Sequence, residues 1–425
     1  MTKILLGCIA DDFTGATDLA NNLVRSGLRT LQVIGVPEKC PNLEGVDALV
    51  VALKTRTIEP QDAIAQSLNA LAWLKSLGTE QIYFKYCSTF DSTPKGNIGP
   101  VMDALMDALK TNFTIACPAF PEANRTIYKG HLFVGDQLLS DSGMASHPLT
   151  PMKNSNLVEV LQRQSTKQVG LIDYTVVQKD SQSIKNAMQA LQANGKQAVI
   201  VDCLNNDDLI RLGVALKGMP LVTGGSGVAI GLAQNWGKSA SGVNASVSEL
   251  PQAIGAKAVI AGSCSEATNR QVAYFKAQGL YSYEINPFKL ADGSLDLNAL
   301  KEELLTKLGE KPILVYATAT PEKVKAVQAT LGVQEAGDLI EKTLAGIANY
   351  LVSNGVKQLV VAGGETSGAV VKVLGISSLA IGPQIAPGVP WTYATSGSDA
   401  LHLTLKSGNF GDTSFLVSSF DMLNK

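Results

Sequence analysis

Short apolar runs alternate with amphipathic segments along the first half of the chain. Most of the runs are continuous rather than alternating, which is typical of strands buried on both faces of a parallel sheet. Between several of them, apolar residues recur at helical spacing, as at Leu68, Leu71 and Leu74. The runs that we predict to be strands are Ile4–Ile9, Leu31–Ile34, Ala48–Leu53, Ile82–Phe84, Phe113–Cys117, Val169–Ile172, Ala198–Val201 and Leu221–Val222.

A second series of apolar runs begins after a segment rich in glycine and serine. That segment, 237–246, is followed closely by Pro251, and its composition favours a linker. We predict a long helix at Glu335–Ser353 and strands at Ala258–Ala261, Tyr281–Ile285, Ile313–Tyr316, Leu359–Ala362 and Leu379–Ile381.

This alternation predicts an α/β protein of two domains, each with a mostly parallel sheet flanked by helices. We place the domains at residues 1–240 and 257–425, with a linker at 241–256. In two-domain proteins of this class, the active site is expected in the interdomain cleft, outside the carboxyl ends of the strands.

Composition narrows the range of functions. The chain has 425 residues, more than one hydrophobic core usually supports, and a formal net charge of -2, which argues against a nucleic-acid partner. No apolar run approaches the roughly 18 residues of a membrane span, so no membrane partner is expected. The three histidines suggest no metal cluster. The six cysteines are scattered along the chain without a Cys-x-x-Cys pair, so we predict a protein of the reducing cytoplasm.

Two adjacent carboxylates, Asp11 and Asp12, follow the first predicted strand and precede a helix predicted at about 15–25. Acidic side chains at the carboxyl end of a strand are placed to act on a bound substrate. Alternatively, Asp12 or Thr14 simply caps the helix, for which one side chain would be enough.

Polar side chains also follow the third and fourth predicted strands. Arg56 is suited to a bidentate pair with a carboxylate, although it could equally be a solvated arginine. The loop at 85–97 holds two lysines, an aspartate and several hydroxyls ahead of a helix predicted at Ile98–Leu109. Such a loop suits an anion, and a plain capped loop is the alternative.

Glycine-rich segments join strands to helices at 224–227, 262–265 and 363–368. Small residues let backbone N–H groups approach phosphate oxygens at a helix N-terminus. None of the three matches a P-loop or a Rossmann fingerprint. Because two of them fall in the second domain, we interpret them as phosphate-binding loops, with close helix–sheet packing as the alternative.

Other segments of the second domain receive structural interpretations. By itself, the glycine cluster Lys406–Gly411 is interpreted as the cap of a preceding helix, and His402 is placed in that helix. Three prolines within 382–391 predict a rigid surface loop.

Together these motifs resemble the four-carbon acid sugar kinase family, whose members phosphorylate threonate, erythronate or oxo-tetronate. The resemblance covers nearly the whole chain and rests on Ala10–Ala16, Gly363–Gly368, Ile385–Trp391 and Lys406–Gly411, in that order. It implies an N-terminal sugar-acid-binding domain and a C-terminal nucleotide-binding domain that uses ATP with Mg²⁺.

Within the family, the chain is most similar to the branch that phosphorylates the C4 hydroxyl of 3-oxo-tetronate. The marker segments are Lys85–Thr93, Gly130–Asp136 and His147–Met152. Threonate and erythronate kinases tend to carry Leu-Arg-Gly where this chain has Pro94–Gly96, so the role of that arginine cannot be transferred.

The resemblance also implies roles for individual residues. Asp11 is expected to take the proton of the acceptor hydroxyl, with Asp12 as the substitute. The expected substrate-binding residues are Arg56, Lys85, Ser88, Asp91 and Ser92. The expected nucleotide-binding residues are Ser263, Ser265, Gly363, Gly364, Glu365, Thr366 and Gly408. The metal-binding residues stay unassigned.

Two other functions are weighed against this kinase. The first is a threonate or erythronate 4-kinase that uses the same fold. The second is a non-enzymatic sugar-acid sensor, which would need no nucleotide loops and usually carries an export signal or a DNA-binding module. The expected partners are a small sugar acid and ATP, and a homo-oligomer is left open.

Overall fold

The protein divides into two compact units, Met1–Val247 and Ser248–Lys425. The computed structural model describes residues 3–147, 150–238, 249–396 and 399–424. Positions 241–248 of the predicted linker, and Pro148 and Leu149 of one marker segment, therefore lie outside the described residues. The domain boundaries given above stay predictions.

The first unit contains a parallel sheet with the strand order β2-β3-β1-β4-β11-β5-β10-β9, and a small antiparallel sheet β6-β7-β8. Its strands are β1 (Leu6–Ala10), β2 (Thr30–Ile34), β3 (Ala48–Ala52), β4 (Gln81–Lys85), β5 (Thr114–Cys117), β6 (Arg125–Tyr128), β7 (His131–Val134), β8 (Gln137–Leu138), β9 (Val169–Ile172), β10 (Ala198–Val201) and β11 (Leu221–Gly224). Its helices are α1 (Phe13–Arg25), α2 (Pro60–Ser76), α3 (Ile98–Leu109), α4 (Leu157–Gln164), α5 (Tyr174–Val177), α6 (Ser181–Ala193), α7 (Asn206–Ala215) and α8 (Ala229–Leu232).

The central strands of this sheet are buried along their whole length, as their continuous apolar runs predict. Every residue of β1, β3 and β4 is buried. In the register of the sheet, Ala10 at the end of β1 lies opposite Ala52 of β3 and Lys85 of β4. The polar segments that follow these three strands therefore emerge side by side at one edge of the sheet.

Helices α7 and α8 approach each other closely through two glycines. A Cβ on Gly213 would overlap the backbone of Gly231, and a Cβ on Gly231 would overlap the carbonyl oxygen of Leu209. The two helices are therefore packed backbone against backbone at this point.

The second unit contains one sheet with the strand order β13-β14-β12-β15-β18-β17-β16. The pairs from β13 to β18 are parallel, and β18-β17 and β17-β16 are antiparallel. Its strands are β12 (Ala256–Ala261), β13 (Ser282–Glu284), β14 (Ile313–Tyr316), β15 (Val356–Ala362), β16 (Ser378–Ala386), β17 (Val389–Ser396) and β18 (Asp399–Lys406). Its helices are α9 (Glu266–Ala277), α10 (Pro287–Ala291), α11 (Leu297–Lys307), α12 (Pro321–Leu331), α13 (Val333–Ser353), α14 (Gly364–Val373) and α15 (Phe415–Ser418).

The prediction of two α/β domains with mostly parallel sheets is confirmed, and three local predictions in the second unit are wrong. The proline-containing segment 382–391 is a hairpin formed by β16 and β17 rather than a surface loop, and Trp391 is fully buried. The pairing of β16 with β17 shifts register between Ile381 and Gln384, where Pro383 lacks an N–H group to donate.

The other two errors concern β18. His402 lies in this strand and not in a helix, and its imidazole Nε2 lies 2.8 Å from the carbonyl oxygen of Pro251. Lys406 is the last residue of the same strand, so the glycine cluster after it follows a strand rather than capping a helix.

Among the described residues, no helix has both the length and the apolar character of a bilayer-spanning segment.

Candidate active site

Asp11 and Arg56 form a bidentate ion pair at the edge of the first sheet. Arg56 donates from Nε to Oδ2 of Asp11 at 2.9 Å and from Nη2 to Oδ1 at 2.8 Å. The backbone reinforces the pair, because the carbonyl of Asp11 accepts the N–H groups of Thr55 and Arg56 at 2.9 and 3.2 Å. Both side chains are mostly withdrawn from solvent. The planar guanidinium is therefore oriented by Asp11 before any substrate binds.

Asp12 is the N-cap of α1 and also contacts Arg56. Its Oδ1 accepts the N–H of Gly15 at 2.9 Å and Nη2 of Arg56 at 2.7 Å, while its Oδ2 accepts the hydroxyl of Thr14 at 2.7 Å. The capping role proposed for Asp12 as an alternative is thus confirmed. Its contact with Arg56 places the same carboxylate within the ionic cluster.

The two carboxylates differ in their affinity for protons. Burial raises the pKa of Asp11, and this effect outweighs the opposing charge of Arg56. Burial also acts to raise the pKa of Asp12, but the charges of Arg56 and Lys85 and the hydrogen bonds from Thr14 and Gly15 lower it overall. Asp11 is therefore the better proton acceptor of the two.

Lys85 lies beneath the N-terminus of α1. Its side chain is buried, and its ammonium donates to the carbonyl of Tyr86 at 2.8 Å. A Cβ on Gly15 would lie only 2.9 Å from Nζ of Lys85, so a glycine leaves room for the ammonium. The positive charge of Lys85 acts to lower the pKa values of Asp11 and Asp12.

The loop after β4 brings a third carboxylate to the site. Oδ1 of Asp91 accepts the hydroxyl of Thr89 at 2.6 Å, and its Oδ2 lies 3.8 Å from Nη1 of Arg56. The hydroxyl of Ser92 accepts Nε2 of Gln164 at 2.8 Å. Ser88 is buried in the same loop.

A small pocket lies between these segments. It is lined by Asp11, Thr55, Arg56, Phe84, Asp91, Ser92, Asn97, Ile98 and Val101. Of the residues predicted for the sugar acid, the structure brings Arg56, Asp91 and Ser92 together with Asp11 around this pocket. Lys85 and Ser88 are close in sequence and buried, but they do not line it.

Sequence reasoning missed Asn97, which holds the segment that carries Arg56. Its side-chain amide donates to the carbonyls of Thr55 and Ile58 at 2.7 and 2.9 Å. An asparagine just before a helix is a common cap, so no signal in the sequence pointed to a partner some forty residues earlier in the chain.

Sequence reasoning also missed Arg125 and Asp18. Arg125 is a buried arginine in β6 whose charge interacts with Asp91 and Asp18. Asp18 is a buried carboxyl on α1, and burial raises its pKa to about 6 although Lys85 opposes the shift. Asp18 lies on the predicted helix four residues after Thr14, and this spacing was a usable signal. For Arg125 there was none, because β6 itself was not predicted.

In the second unit, the loops that follow β12, β15 and β18 meet. Ser265 caps α9 and donates its hydroxyl to the carbonyl of Gly408 at 2.7 Å. The N–H of Gly363 donates to the carbonyl of Lys406 at 2.8 Å. A Cβ on Gly408 would clash with the hydroxyl of Ser263, and Gly363 has φ +125°, a conformation that favours glycine. Four of the predicted nucleotide-binding residues therefore lie close together where these loops meet: Ser263, Ser265, Gly363 and Gly408.

The N-terminus of α14 lies in this group of loops. Its cap is Gly363, which supplies no side-chain oxygen to the first amides of the helix, and Gly364 is exposed. Thr366 is buried against Gly262, where any Cβ would clash with its hydroxyl. Glu365 is half-buried in the first turn. An uncapped helix N-terminus beside glycines is chemically suited to a phosphate group.

The glycine loop after β11 serves close packing instead. A Cβ on Gly224, Gly225 or Gly227 would lie 2.6 Å or less from a backbone oxygen at the end of β5 or in the two residues that follow it. For this loop, the structural interpretation accounts for the glycines without a ligand.

Comparisons with known proteins agree with the division into two units. A model described as a sugar-binding N-terminal domain matches residues 6–232, and one described as a nucleotide-binding C-terminal domain matches residues 258–416. The chain is 55% identical to a 3-oxo-tetronate kinase of Burkholderia multivorans over 100% of this chain and 98% of that one. It is 52% identical to the enzyme of the same name in Cupriavidus necator, over 99% and 97%.

A solved structure shares the fold. The crystal structure of a Salmonella typhimurium LT2 protein, provisionally named a tRNA synthase, has a TM-score of 0.82 and 42% identity, with 97% of each chain covered. Both family models and the full-length relatives lead to one conclusion: the chain belongs to the four-carbon acid sugar kinase family.

Proposed function

We propose that this protein is an ATP-dependent kinase that phosphorylates the C4 hydroxyl of 3-oxo-tetronate. The observation that carries the proposal is its full-length similarity, at 55% and 52% identity, to two enzymes named 3-oxo-tetronate kinase. The presence of a nucleotide-binding domain in the second unit speaks against a non-enzymatic sensor, which would not need one.

Asp11 is the proposed general base. Its pKa is raised by burial, whereas that of Asp12 is lowered overall, and Asp12 is also committed to capping α1. Each oxygen of Asp11 accepts one hydrogen bond from Arg56 and keeps a lone pair for the acceptor hydroxyl. Positioned bases of this kind typically contribute about 10²- to 10⁴-fold to the rate.

Arg56 is the proposed partner of the substrate carboxylate, through one nitrogen only. Its Nε and Nη2 are engaged by Asp11 and Asp12, while Nη1 lies 3.8 Å from Asp91, beyond hydrogen-bond distance. The full fork is therefore not available to the substrate. Lys85 would supply further positive charge, and Ser88, Asp91 and Ser92 would contact the hydroxyl and keto groups.

The loops after β12, β15 and β18 are the proposed site of ATP. Ser263, Ser265, Gly363 and Gly408 bring small side chains and backbone N–H groups together, and the N-terminus of α14 adds the favourable end of a helix dipole. We assign Gly364, Glu365 and Thr366, in the first turn of α14, to the same site.

Mg²⁺ is the proposed metal, bound mainly through the phosphates of ATP. Among the described residues, no group of three or more His, Cys, Asp or Glu side chains could hold a metal ion. Mg²⁺ commonly takes only one or two protein carboxylates and completes its coordination with phosphates and water. The bound ion would neutralise charge on the transferring phosphoryl group.

A threonate or erythronate 4-kinase is the alternative, and the keto group is the chemical difference. A keto oxygen accepts hydrogen bonds but never donates, whereas an alcohol does both. Rotating hydroxyls such as those of Ser88 and Ser92 would discriminate weakly between them. Strong selection would need a fixed donor, such as Lys85 or a backbone N–H, aimed at the planar carbonyl.

The test is a comparison of kcat/KM for 3-oxo-tetronate, threonate and erythronate at one saturating ATP concentration. We expect 3-oxo-tetronate to be preferred by at least roughly tenfold, the size of a modest polar discrimination. A preference for threonate or erythronate would contradict the assigned substrate and leave the kinase intact. If none of the three is phosphorylated, the proposed activity is wrong.

Two further points concern the location of the protein and its expected ligands. All six cysteines lie in the described part of the chain and are unpaired, as expected in a reducing compartment, and we propose the cytoplasm as the location. The net charge of -2 does not favour tRNA as a ligand.

A further inference from the structure

Lys406, at the end of β18, is fully buried at the junction of the three proposed phosphate-binding loops. Its ammonium donates to the carbonyls of Ser407, Gly408 and Phe410 at 3.0, 2.9 and 3.1 Å, and lies 3.3 Å from the hydroxyl of Thr268. Its own carbonyl accepts the N–H of Gly363, the cap of α14. One residue thus connects all three loops.

Hydrogen bonds from several side chains fix the conformation of the loop after β18. The carbonyl of Gly408 accepts hydrogen bonds from Lys406, from Ser265 at 2.7 Å and from Thr268 at 2.9 Å. Gln271 donates to the carbonyls of the following residues. Because three donors converge on one carbonyl, the Gly408 peptide is held against the N-terminus of α9.

The charge of Lys406 is not balanced within the unit. Among the described residues, no carboxylate lies within salt-bridge distance of this ammonium, and all its hydrogen-bond partners are neutral. Fully buried lysines are rare unless they are paired with an anion. Carbonyl dipoles compensate only partly for the lost hydration.

We propose that the phosphates of the bound nucleotide are the missing counter-ion of Lys406. Lys406 is then a positioning residue whose positive charge favours phosphate binding at these loops. The inference rests on the proposed function, since it requires nucleotide at these loops. Lys406 lies behind the loop and holds Gly408 in place, and its positive charge acts on the phosphates across that loop.

A proton should therefore be taken up when nucleotide binds. Burial lowers the pKa of Lys406 to about 7. A phosphate nearby favours the charged form and raises the pKa again. At about pH 8, most of the free protein would carry neutral lysine and most of the complex would carry ammonium, so binding would consume about 0.9 proton; well below pH 7 it would consume almost none.

Other titratable groups lie on the elements around Lys406. Those carried by α9, β15, α14, β17 and the segment after the loop are Glu266, Arg270, Tyr274, Lys276, Lys357, Glu365, Lys372, Tyr393 and Asp412. Glu266 and Arg270 form an exposed ion pair with each other, and the ammonium of Lys276 contacts Tyr316. Asp412 is exposed and accepts hydrogen bonds from Ser414.

Calorimetry of ADP binding to the full-length protein tests the proposal. Titrations at about pH 8 in two buffers of different ionisation enthalpy give the number of protons taken up. We expect nearly one proton for the wild type and for Lys372→Met, a control that removes an exposed lysine of the same unit. We expect none for Lys406→Met or for Lys406→Gln. ADP affinity at about pH 6 should fall roughly 10- to 100-fold in both Lys406 variants.

The glutamine variant separates charge from loop geometry, because its amide can still donate to the loop carbonyls. If Lys406→Gln keeps wild-type ADP affinity at about pH 6, hydrogen bonding alone explains the residue and the proposal is overturned. The same follows if the wild type takes up no proton, or if the uptake persists in Lys406→Gln. Thermal unfolding of each variant establishes that it is folded. A wild type that does not bind ADP at all would instead refute the nucleotide site itself.

Discussion

The carboxylate of Asp11 and the guanidinium of Arg56 are joined by two hydrogen bonds, at 2.9 and 2.8 Å, in a region almost closed to solvent. The proposed base and the proposed substrate-binding cation are therefore one structural unit. A substitution in either residue changes the position and the charge balance of the other.

Arg56→Lys should weaken binding of the sugar acid while ADP binding stays unchanged. Lysine keeps the charge, but its single nitrogen cannot make the paired contacts with Asp11 and also contact the substrate as Nη1 of arginine would. A lost charge-assisted hydrogen bond corresponds to about 1.5–3 kcal/mol. Calorimetric titration with 3-oxo-tetronate and with ADP measures both affinities. Arg163→Lys, at an exposed position of α4, is the matched control. Unchanged sugar-acid affinity, with unchanged thermal stability, would remove Arg56 from the site.

Asp11→Asn should fold, bind ADP as the wild type does and bind the sugar acid somewhat more weakly, because one of the two contacts with Arg56 is lost, but its main defect should be the loss of most turnover. Asparagine keeps the shape and one acceptor oxygen, yet it cannot take a proton at neutral pH. We expect kcat to fall by about 10²- to 10⁴-fold, the range typical of a general base. Steady-state kinetics together with ligand titrations separate this loss of chemistry from a loss of binding.

Asp12→Asn is the informative counterpart to that variant. Its remaining oxygen can still accept the N–H of Gly15 and cap α1, so folding should tolerate the change. We expect a smaller loss of kcat than for Asp11→Asn. If Asp12→Asn were the inactive variant, the two roles would be exchanged. Full activity of both variants would refute a carboxylate base.

Asp18→Asn should make the protein more stable above about pH 6. Burial raises the pKa of Asp18 from 3.8 to about 6, so the native state holds this proton more tightly than the unfolded chain does. Wild-type stability therefore falls as the pH rises from about 4 to about 6, by up to about 3 kcal/mol from this group.

The measurement is the free energy of unfolding against pH for the wild type and Asp18→Asn. Their difference should be small below about pH 4, grow up to about pH 6 and then stay constant. Asp62→Asn, at an exposed position of α2, is the control for the loss of a carboxylate outside the core. A difference that shrinks as the pH rises would have the wrong sign.

Gly408→Ala should impair use of ATP more than use of the sugar acid. The new Cβ would clash with the hydroxyl of Ser263, so the loop after β18 must move. Displacements of about 1 Å in a site can cost up to roughly 10²-fold in rate. We expect kcat/KM for ATP to fall about 10- to 100-fold. Gly346→Ala, in α13 with open space around it, should stabilise by about 0.5–1 kcal/mol and leave kinetics unchanged.

Much of the fold could be predicted because parallel strands are buried on both faces. Their continuous apolar runs stand out, and β9, β10 and β14 begin and end at the predicted residues. Strands β17 and β18 were missed because polar residues interrupt their apolar ones, and β17 also contains Pro390. Proline in 382–391 indicated a loop, although strands accept proline where no ladder hydrogen bond is needed.

The candidate site could be predicted only where its residues follow strands. Asp11, Arg56 and the loop of Asp91 were found because each comes directly after a run that reads as a strand. Asn97, Arg125 and Lys406 could not be found in this way, since their partners lie far along the chain or are backbone carbonyls. Nothing in a sequence indicates which carbonyl a buried side chain will meet.

Close contact between α7 and α8 has a consequence for variation among relatives. At many helix crossings, a larger residue on one helix can be offset by a smaller one on the other. Positions 213 and 231 exclude such an exchange. Any residue that replaced either glycine would place its Cβ against main-chain atoms, and a smaller side chain on the other helix could not relieve that clash. In an alignment of the family, glycine should therefore be kept at each of the two positions, and no relative should pair a larger residue at one position with a smaller residue at the other.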